Sequence, residues 1–182
     1  MITVSMNKSE MQQEVTTLTK TKSLPIGIEF YKEMIDSNYY YVDKTWMIHD
    51  LLTQNNKVTL FTRPRRFGKT LALSMLQTFF EKEIDADGNI VDNSRYFIGK
   101  KIIDAGEEYT KHQGQYPIIF LSLKSAKQPN FEMAYYQLQQ AVIQEFRRHD
   151  YILNDASHTL NDIEKNNYRA IMDRTAPTAV YA

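Results

Sequence analysis

The amino-acid sequence predicts an α/β fold in which helices cover a parallel sheet on both faces, giving three layers. Two short runs, 58–62 and 117–123, are apolar at consecutive positions, as strands buried on both faces are. Each run is followed along the chain by a segment with apolar residues at helical spacing, so the order is strand, helix, strand, helix. That alternation is typical of parallel sheets.

The elements before the first strand are shorter. Residues 1–23 are polar and without a clear period, which predicts a flexible tail ahead of a folded part spanning 24–182. A short helix is expected with Phe30, Met34 and Ile35 on one face, followed by an extended piece at 39–42. The next helix should begin after a cap at Asp43, and its inward residues are Met47, Ile48, Leu51 and Leu52.

The elements after the first strand are longer. A strongly apolar helix is predicted over 70–82, and a turn follows at 85–89. Asn130 should cap a long helix that follows the second strand. A last helix is predicted after a cap at Thr159, with inward residues Leu160, Ile163 and Ile171.

Composition excludes several function classes. The 182 residues fit one domain, and 22 Lys and Arg balance 22 Asp and Glu, so the whole-chain charge does not favour nucleic acid or an acidic membrane. There is no cysteine, which excludes disulfides, thiol catalysis and cysteine-based zinc sites, and which fits a cytoplasmic location. No apolar run approaches the length of a membrane span, so no membrane partner is expected. The oligomeric state stays open.

The chemistry of the chain is concentrated in the loop between the first strand and its helix, "TRPRRFGKT" at 62–70. The first amides of a helix have no partner inside it, and the helix dipole adds positive charge there, so this position favours an anion. Gly68 allows a phosphate to approach the backbone, Lys69 would reach the β- and γ-phosphates, and the Thr70 hydroxyl would be a ligand of Mg²⁺. The pattern predicts a Walker A loop and a P-loop NTPase-type sheet.

One position departs from that pattern, because Arg63 replaces the first glycine. A Gly-Lys-Ser/Thr triplet alone arises by chance in about one chain in ten of this length, so the strand before it and the helix after it carry the prediction. The candidate binding residues of the loop are Arg65, Arg66, Phe67, Gly68, Lys69 and Thr70. The alternative is a basic turn in which the arginines are solvated, or contact a nucleic-acid backbone.

Three blocks of this sequence resemble bacterial AAA-ATPase-like proteins, which often carry a C-terminal nuclease-like domain of the PD-(D/E)XK type. The blocks are "YYYVDKT" at 39–45, "KVTLFTRPRRFGKTLALSML" at 57–76 and "YPIIFLSLK" at 116–124. The resemblance implies binding of ATP and Mg²⁺ by the loop 63–70, and it makes Arg63 a family trait. It also implies that Asp43 and Lys44, in a box near the N-terminus, lie near the adenine. For Asp43 a helix cap is the alternative.

One feature of that family is not found in the sequence. Hydrolysis needs an acidic group at the end of a second strand, whereas 117–123 is followed by Lys124. The expectation is therefore a chain truncated before the acidic strand, without catalytic residues, that binds nucleotide and hydrolyses it poorly. A nucleotide is the expected partner, and nucleic acid stays open as a partner of the full-length protein. The alternative function is a non-catalytic nucleic-acid-binding or scaffold module that uses the basic loop 63–69.

Overall fold

The computed structural model of the protein describes residues 22–154 and 160–177. Short 3-10 turns at Ser94–Phe97, Lys124–Ala126 and Asp150–Leu153 separate some of the α-helices of this part of the chain. The α-helices are α1 (Tyr31–Asp36), α2 (Trp46–Gln54), α3 (Lys69–Phe80), α4 (Lys101–Asp104), α5 (Glu107–Thr110), α6 (Phe131–Arg148) and α7 (Asp162–Met172).

The predicted α/β fold with a three-layer parallel sheet is wrong for the described part of the chain. That part is 50% helix and 3% strand, and it contains no sheet. Its β-type pairing is limited to isolated bridges, a parallel one between Glu81 and Tyr116 and an antiparallel one between Ile84 and Ile90. The structure here is an assembly of helices and connecting segments.

The two predicted strands do not form a sheet, and the apolar character of the two runs could not predict this. A strand needs a neighbouring strand to pair its amides and carbonyls. In the second run the amide of Phe120 instead donates to the Glu145 carboxylate at 2.9 Å, and the carbonyl of Ile118 accepts from Arg148 at 2.6 Å. In the first run the side chain of Leu60 is 83% exposed, so this run is not covered on both faces either.

The helices follow the sequence more closely. α3 begins one residue before the predicted start and ends two before the predicted end. α6 begins after Asn130, whose side chain accepts from the Met133 amide at 2.9 Å, so this cap is confirmed. The turn at 85–89 is also confirmed, because the Asp85 carboxylate accepts from the amides of Asp87 and Asn89.

Three details of the flanking elements differ from the prediction or lie outside the described residues. Phe30 precedes α1 and is 55% exposed, whereas Met34 is buried as expected. α7 is capped by Asn161; the predicted cap, Thr159, and the predicted tail up to residue 21 lie outside the described residues. Ile163 was expected to face inward but is 73% exposed, because it lies in the first turn of α7, ahead of the buried Ile171.

The hydrophobic core lies where α1, α2 and α3 meet the segment around α4. Its buried members are Tyr31, Ile48, Met75, Phe79, Tyr96, Phe97 and Ile102. The Tyr31 amide donates to the Ser74 hydroxyl at 3.0 Å, and its own hydroxyl donates to the Tyr96 carbonyl at 2.9 Å. These contacts fix α3 against α1, and α3 is the helix that begins at the predicted loop.

A buried ion pair holds the other end of α3. Glu81, the residue after the helix, is 5% exposed and pairs with Arg148 at the end of α6. Arg148 also contacts Glu145 at 2.6 Å, and the neighbouring His149 lies 2.8 Å from the Ile118 carbonyl. This cluster joins α3, α6 and the run 117–123.

Candidate functional site

The loop before α3 has a backbone that reverses sharply. Gly68, immediately before the helix, has φ 72°, and Arg66 has φ 68°. Glycine adopts this left-handed region without steric cost, whereas another residue there is strained by about 1–2 kcal/mol. Gly68, which was predicted to let a phosphate approach the backbone, therefore occupies a position that favours glycine, directly before a helix.

The first amides of α3 are unpaired within the described residues. The first helical hydrogen bond runs from the Ala72 amide to the Gly68 carbonyl at 2.9 Å. The amides of residues 68–71 have neither a backbone nor a side-chain acceptor in the part of the chain described. Together with the helix dipole, these donors form a site at which an anion is stabilised.

The Lys69 side chain lies over the loop that precedes it. Its ammonium donates to the carbonyl of Arg63 at 2.7 Å and to the carbonyl of Pro64 at 3.0 Å. An ammonium has three donors, so one remains for a ligand. The lysine thus fixes the loop that precedes α3 and carries a positive charge into the cavity that Gly68 also lines.

A second ammonium group, that of Lys44, lies close to Gly68. The Nζ atom of Lys44 lies 3.9 Å from the point at which a Cβ atom on Gly68 would stand. The structure therefore brings Lys44 together with Gly68 although 24 positions separate them in the sequence. The side chain arrives from the segment just before α2.

Asp43 serves the protein backbone in this structure. Its Oδ1 atom accepts from the Thr45 amide at 2.8 Å and from the Thr45 hydroxyl at 2.7 Å, and its Oδ2 atom accepts from the Lys101 amide at 2.8 Å. Burial raises the pKa of Asp43, but the hydrogen bonds from Lys101 and Thr45 outweigh it and hold that pKa below its usual value. Asp43 is therefore not the predicted cap of α2, because the N-cap residue of α2 is Thr45 and that helix has no side-chain cap hydrogen bond. The Asp43 carboxylate instead holds the turn before α2 and the first residue of α4.

A cavity of about 670 Å³ lies between the loop and α2. Of the predicted site residues, Lys44, Phe67, Gly68 and Lys69 line it, whereas Asp43, Arg65, Arg66 and Thr70 do not. The other lining residues are Met47, Asp50, Leu51, Gln54, Thr59, Phe61, Arg63, Ala72 and Leu73. The cavity thus has a cationic end at the loop and apolar walls beyond it.

The remaining predicted residues surround this loop. Arg65 and Arg66 are exposed, and neither has an ion pair or a side-chain hydrogen bond within residues 22–154 and 160–177. Thr70 is half-buried on the first turn of α3, and its hydroxyl makes no hydrogen bond with the described residues. Across those residues, no group of three or more metal-ligating side chains could hold a metal ion.

Sequence reasoning missed the part of the site that α2 provides. Met47 and Leu51 were predicted as inward core residues, and Asp50 and Gln54 were not singled out. The available signal was the spacing of these side chains, since positions 47, 50, 51 and 54 share one helix face. Only the packing of α2 beside the loop turns that face into a cavity wall.

A left-handed glycine, free amides at a helix start and a lysine folded over the loop together favour an anion at this place. The family model for predicted AAA-ATPases matches residues 25–180, so the chain belongs to the AAA-ATPase-like family. The resemblance to this family found in the sequence is thus confirmed, and membership of the family favours nucleotide binding. The fusion to a nuclease-like domain, which the resemblance associates with this family, is not shown.

Comparison with curated proteins finds a short match. An uncharacterized protein in the vnfD 5′ region of Azotobacter chroococcum mcd 1 is 45% identical over 60 residues, which is 32% of this chain and 11% of that protein. The matched stretch is thus a small part of the relative's own length. No solved structure matches the chain. None of the helices in the described ranges has the length and apolar character needed to cross a bilayer; the cytoplasmic location stays a prediction.

Proposed function

We propose that the loop 63–70 binds ATP together with Mg²⁺. The observation that carries the proposal is the set of unpaired amides of residues 68–71 at the start of α3, beside the ammonium groups of Lys69 and Lys44. A polyphosphate supplies the several acceptors and the negative charge that such a cluster of donors favours. Membership of a family of predicted AAA-ATPases supports the same ligand class.

The residues at the start of α3 have separate roles in this proposal. The amides from Gly68 to Leu71 would receive phosphate oxygens, and the third N–H of Lys69 would donate to the outer phosphates. The hydroxyl of Thr70 would be a ligand of Mg²⁺, with phosphate oxygens and water completing the coordination, so no cage of acidic side chains is required. The metal would neutralise phosphate charge.

We expect binding without fast turnover. Hydrolysis requires an acidic group that holds Mg²⁺ through water and activates the attacking water. Among the described residues that line the cavity, Asp50 is the acidic one, and it lies on α2 rather than at the end of a strand. Turnover of ATP by residues 1–182 at ordinary ATPase rates would contradict this part of the proposal.

Titration calorimetry with ATP, with and without Mg²⁺, tests the site directly. Lys69→Ala removes the ammonium that the proposal places on phosphate. Hydrogen bonds to charged groups are worth about 1.5–3 kcal/mol, so the affinity should fall at least about tenfold. Lys127→Ala is the matched control, because Lys127 is an exposed lysine that does not line the cavity. Equal affinities for the wild type and Lys69→Ala would refute the site.

One observation favours a second candidate function, a nucleic-acid-binding or scaffold module. Arg65 and Arg66 are exposed and unpaired within the described residues, and Arg63 lies in the same loop. Such a module should bind DNA with a salt dependence of about −0.9 in log–log slope per phosphate contact, without any effect of ATP. A DNA titration at two salt concentrations, for the wild type and for Arg65→Ala, separates it from the nucleotide site.

A further inference from the structure

The cavity beside the loop is lined by one face of α2. Met47, Leu51 and Gln54 of α2 line it at intervals of four and three residues, and Lys44 lines it from the segment just before α2. Residues at that spacing lie on one face of a helix. From Met47 to Gln54 this face rises by about 10 Å, at about 1.5 Å per residue. The cavity therefore extends from the cationic loop to a second end at Gln54.

The middle of the cavity is apolar. Met47 and Leu51 come from α2, Phe61 comes from the run before the loop, and Ala72 and Leu73 come from α3. Phe61 is 37% exposed and Leu73 is 44% exposed, so apolar surface is available to a ligand. Walls of this kind suit a flat heteroaromatic ring, which stacks on aromatic and aliphatic side chains.

Two polar side chains one helical turn apart line the same wall, Gln54 at the far end and Asp50 one turn nearer the loop. Asp50 and Gln54 are both exposed, and their present hydrogen bonds are to sequence neighbours. The Oδ1 atom of Asp50 lies 3.1 Å from Nδ1 of His49, and Oε1 of Gln54 accepts from Asn56 at 3.2 Å. Exposed local contacts of this kind are worth little, so a ligand can replace them.

We infer that Gln54 recognises the base and Asp50 the ribose of the nucleotide, so that the pocket selects adenine. This inference rests on the proposed function of the loop. The primary amide of Gln54 is both donor and acceptor, which matches the N7 acceptor and N6 amino donor of adenine, whereas guanine presents two acceptors, N7 and O6, at that edge. Asp50 lies one turn nearer the loop, where a carboxylate accepts from sugar hydroxyls, as acidic residues do in dinucleotide sites.

Calorimetry on the full chain with Mg²⁺ tests the inference with five probes: ATP, GTP, 7-deaza-ATP, 2′-deoxy-ATP and inorganic tripolyphosphate. For the wild type we expect ATP to bind about tenfold more tightly than GTP or 7-deaza-ATP, because one bidentate contact discriminates by about that factor. In Gln54→Leu the preference for ATP over GTP and the preference for ATP over 7-deaza-ATP should both vanish, while the affinity for tripolyphosphate stays unchanged. In Asp50→Ala the preference for ATP over 2′-deoxy-ATP should vanish.

The controls are Gln144→Leu and Asp104→Ala, which make the same changes at exposed helical positions outside the cavity. Both should retain all the wild-type ratios. An unchanged ratio of ATP to GTP affinity in Gln54→Leu would overturn the inference. If the wild type binds tripolyphosphate, ATP and GTP equally, the inference fails and the phosphate site stands. If neither tripolyphosphate nor ATP binds, both proposals fail together.

Discussion

Replacing Arg148 by methionine should destabilise the protein by about 2–3 kcal/mol, because this guanidinium joins three parts of the chain. It pairs with Glu81 after α3, it contacts Glu145 on its own helix at 2.6 Å, and it donates to the Ile118 carbonyl at 2.6 Å. Methionine keeps the unbranched aliphatic part of the side chain and removes every donor. The substitution leaves a buried carboxylate without its partner.

The magnitude follows from how far each partner is buried. Breaking a fully buried ion pair by removing one partner costs about 3–5 kcal/mol. The side chain of Glu81 is 6% exposed, but that of Arg148 is 33% exposed, so water replaces some of the lost donors. Gln77 also continues to donate to Glu81 at 3.0 Å. A loss of about 2–3 kcal/mol corresponds to about 4–12 °C in Tm for a chain of this length.

Urea denaturation followed by circular dichroism measures the loss. Arg147→Met is the matched control, since Arg147 is the exposed neighbour on the same helix and donates to the Met172 carbonyl at 2.8 Å. Its loss should stay below about 1 kcal/mol, the value of one ordinary hydrogen bond. If Arg148→Met is no less stable than Arg147→Met, the ion pair does not hold α3 and the reasoning is wrong.

The pH dependence of Arg148→Met gives a second readout. Burial raises the pKa of Glu81 above its usual value, although pairing with Arg148 opposes this. A carboxyl with a raised folded-state pKa favours the folded state below the unfolded pKa, and this contribution is lost as the pH rises through the folded pKa. Without Arg148 the pKa of Glu81 rises further. The loss of stability in Arg148→Met should therefore be largest at neutral pH and become smaller as the pH falls toward 4.5, the usual pKa of a glutamate.

Two further predictions concern the loop and its support. Gly68→Ala should cost about 1–2 kcal/mol in urea denaturation, because φ is 72°, and it should weaken ATP binding. Gly88→Ala, at φ 84°, should lose similar stability without changing affinity; a loss of affinity there would contradict the assignment. Asp43→Ala should cost about 1 kcal/mol at neutral pH, because it removes the acceptor of the Thr45 and Lys101 amides. Because the pKa of Asp43 is lowered, its contribution to stability is present above the unfolded-state pKa and is lost as the pH falls through the folded-state pKa. The variant should therefore not show this loss of stability in acid. Equal stability of the variant and the wild type at neutral pH would contradict the role of Asp43 in joining the starts of α2 and α4.

The sequence located the loop end of the candidate site because its residues are contiguous. Gly68 and Lys69 meet the start of α3 through local backbone geometry, and the motif encodes that geometry. The part of the site that α2 provides could not be located in the same way. Asp50 and Gln54 line the cavity because α2 packs beside the loop, and nothing in the residues between 54 and 63 predicts that packing.

The position of Asp43 shows the same division. Its neighbours predicted a helix cap, but its local bonds go to Thr45, which is the N-cap residue of α2. Its bond to the Lys101 amide links residues 58 positions apart, and only the folded chain creates it. The box near the N-terminus therefore supports the site through backbone contacts as well as through Lys44.

By itself the sequence determined the loop and most of the helices, because helical spacing, caps and turn residues act within a few positions of one another; α4 and α5 were not predicted. α3, α6 with its Asn130 cap, and the turn at 85–89 follow from such local patterns. Tertiary structure alone decided that 58–62 and 117–123 form no sheet in the described part of the chain. Apolar character gives a run a preference for burial, but it does not supply the partner for its backbone hydrogen bonds, which must come from elsewhere in the chain.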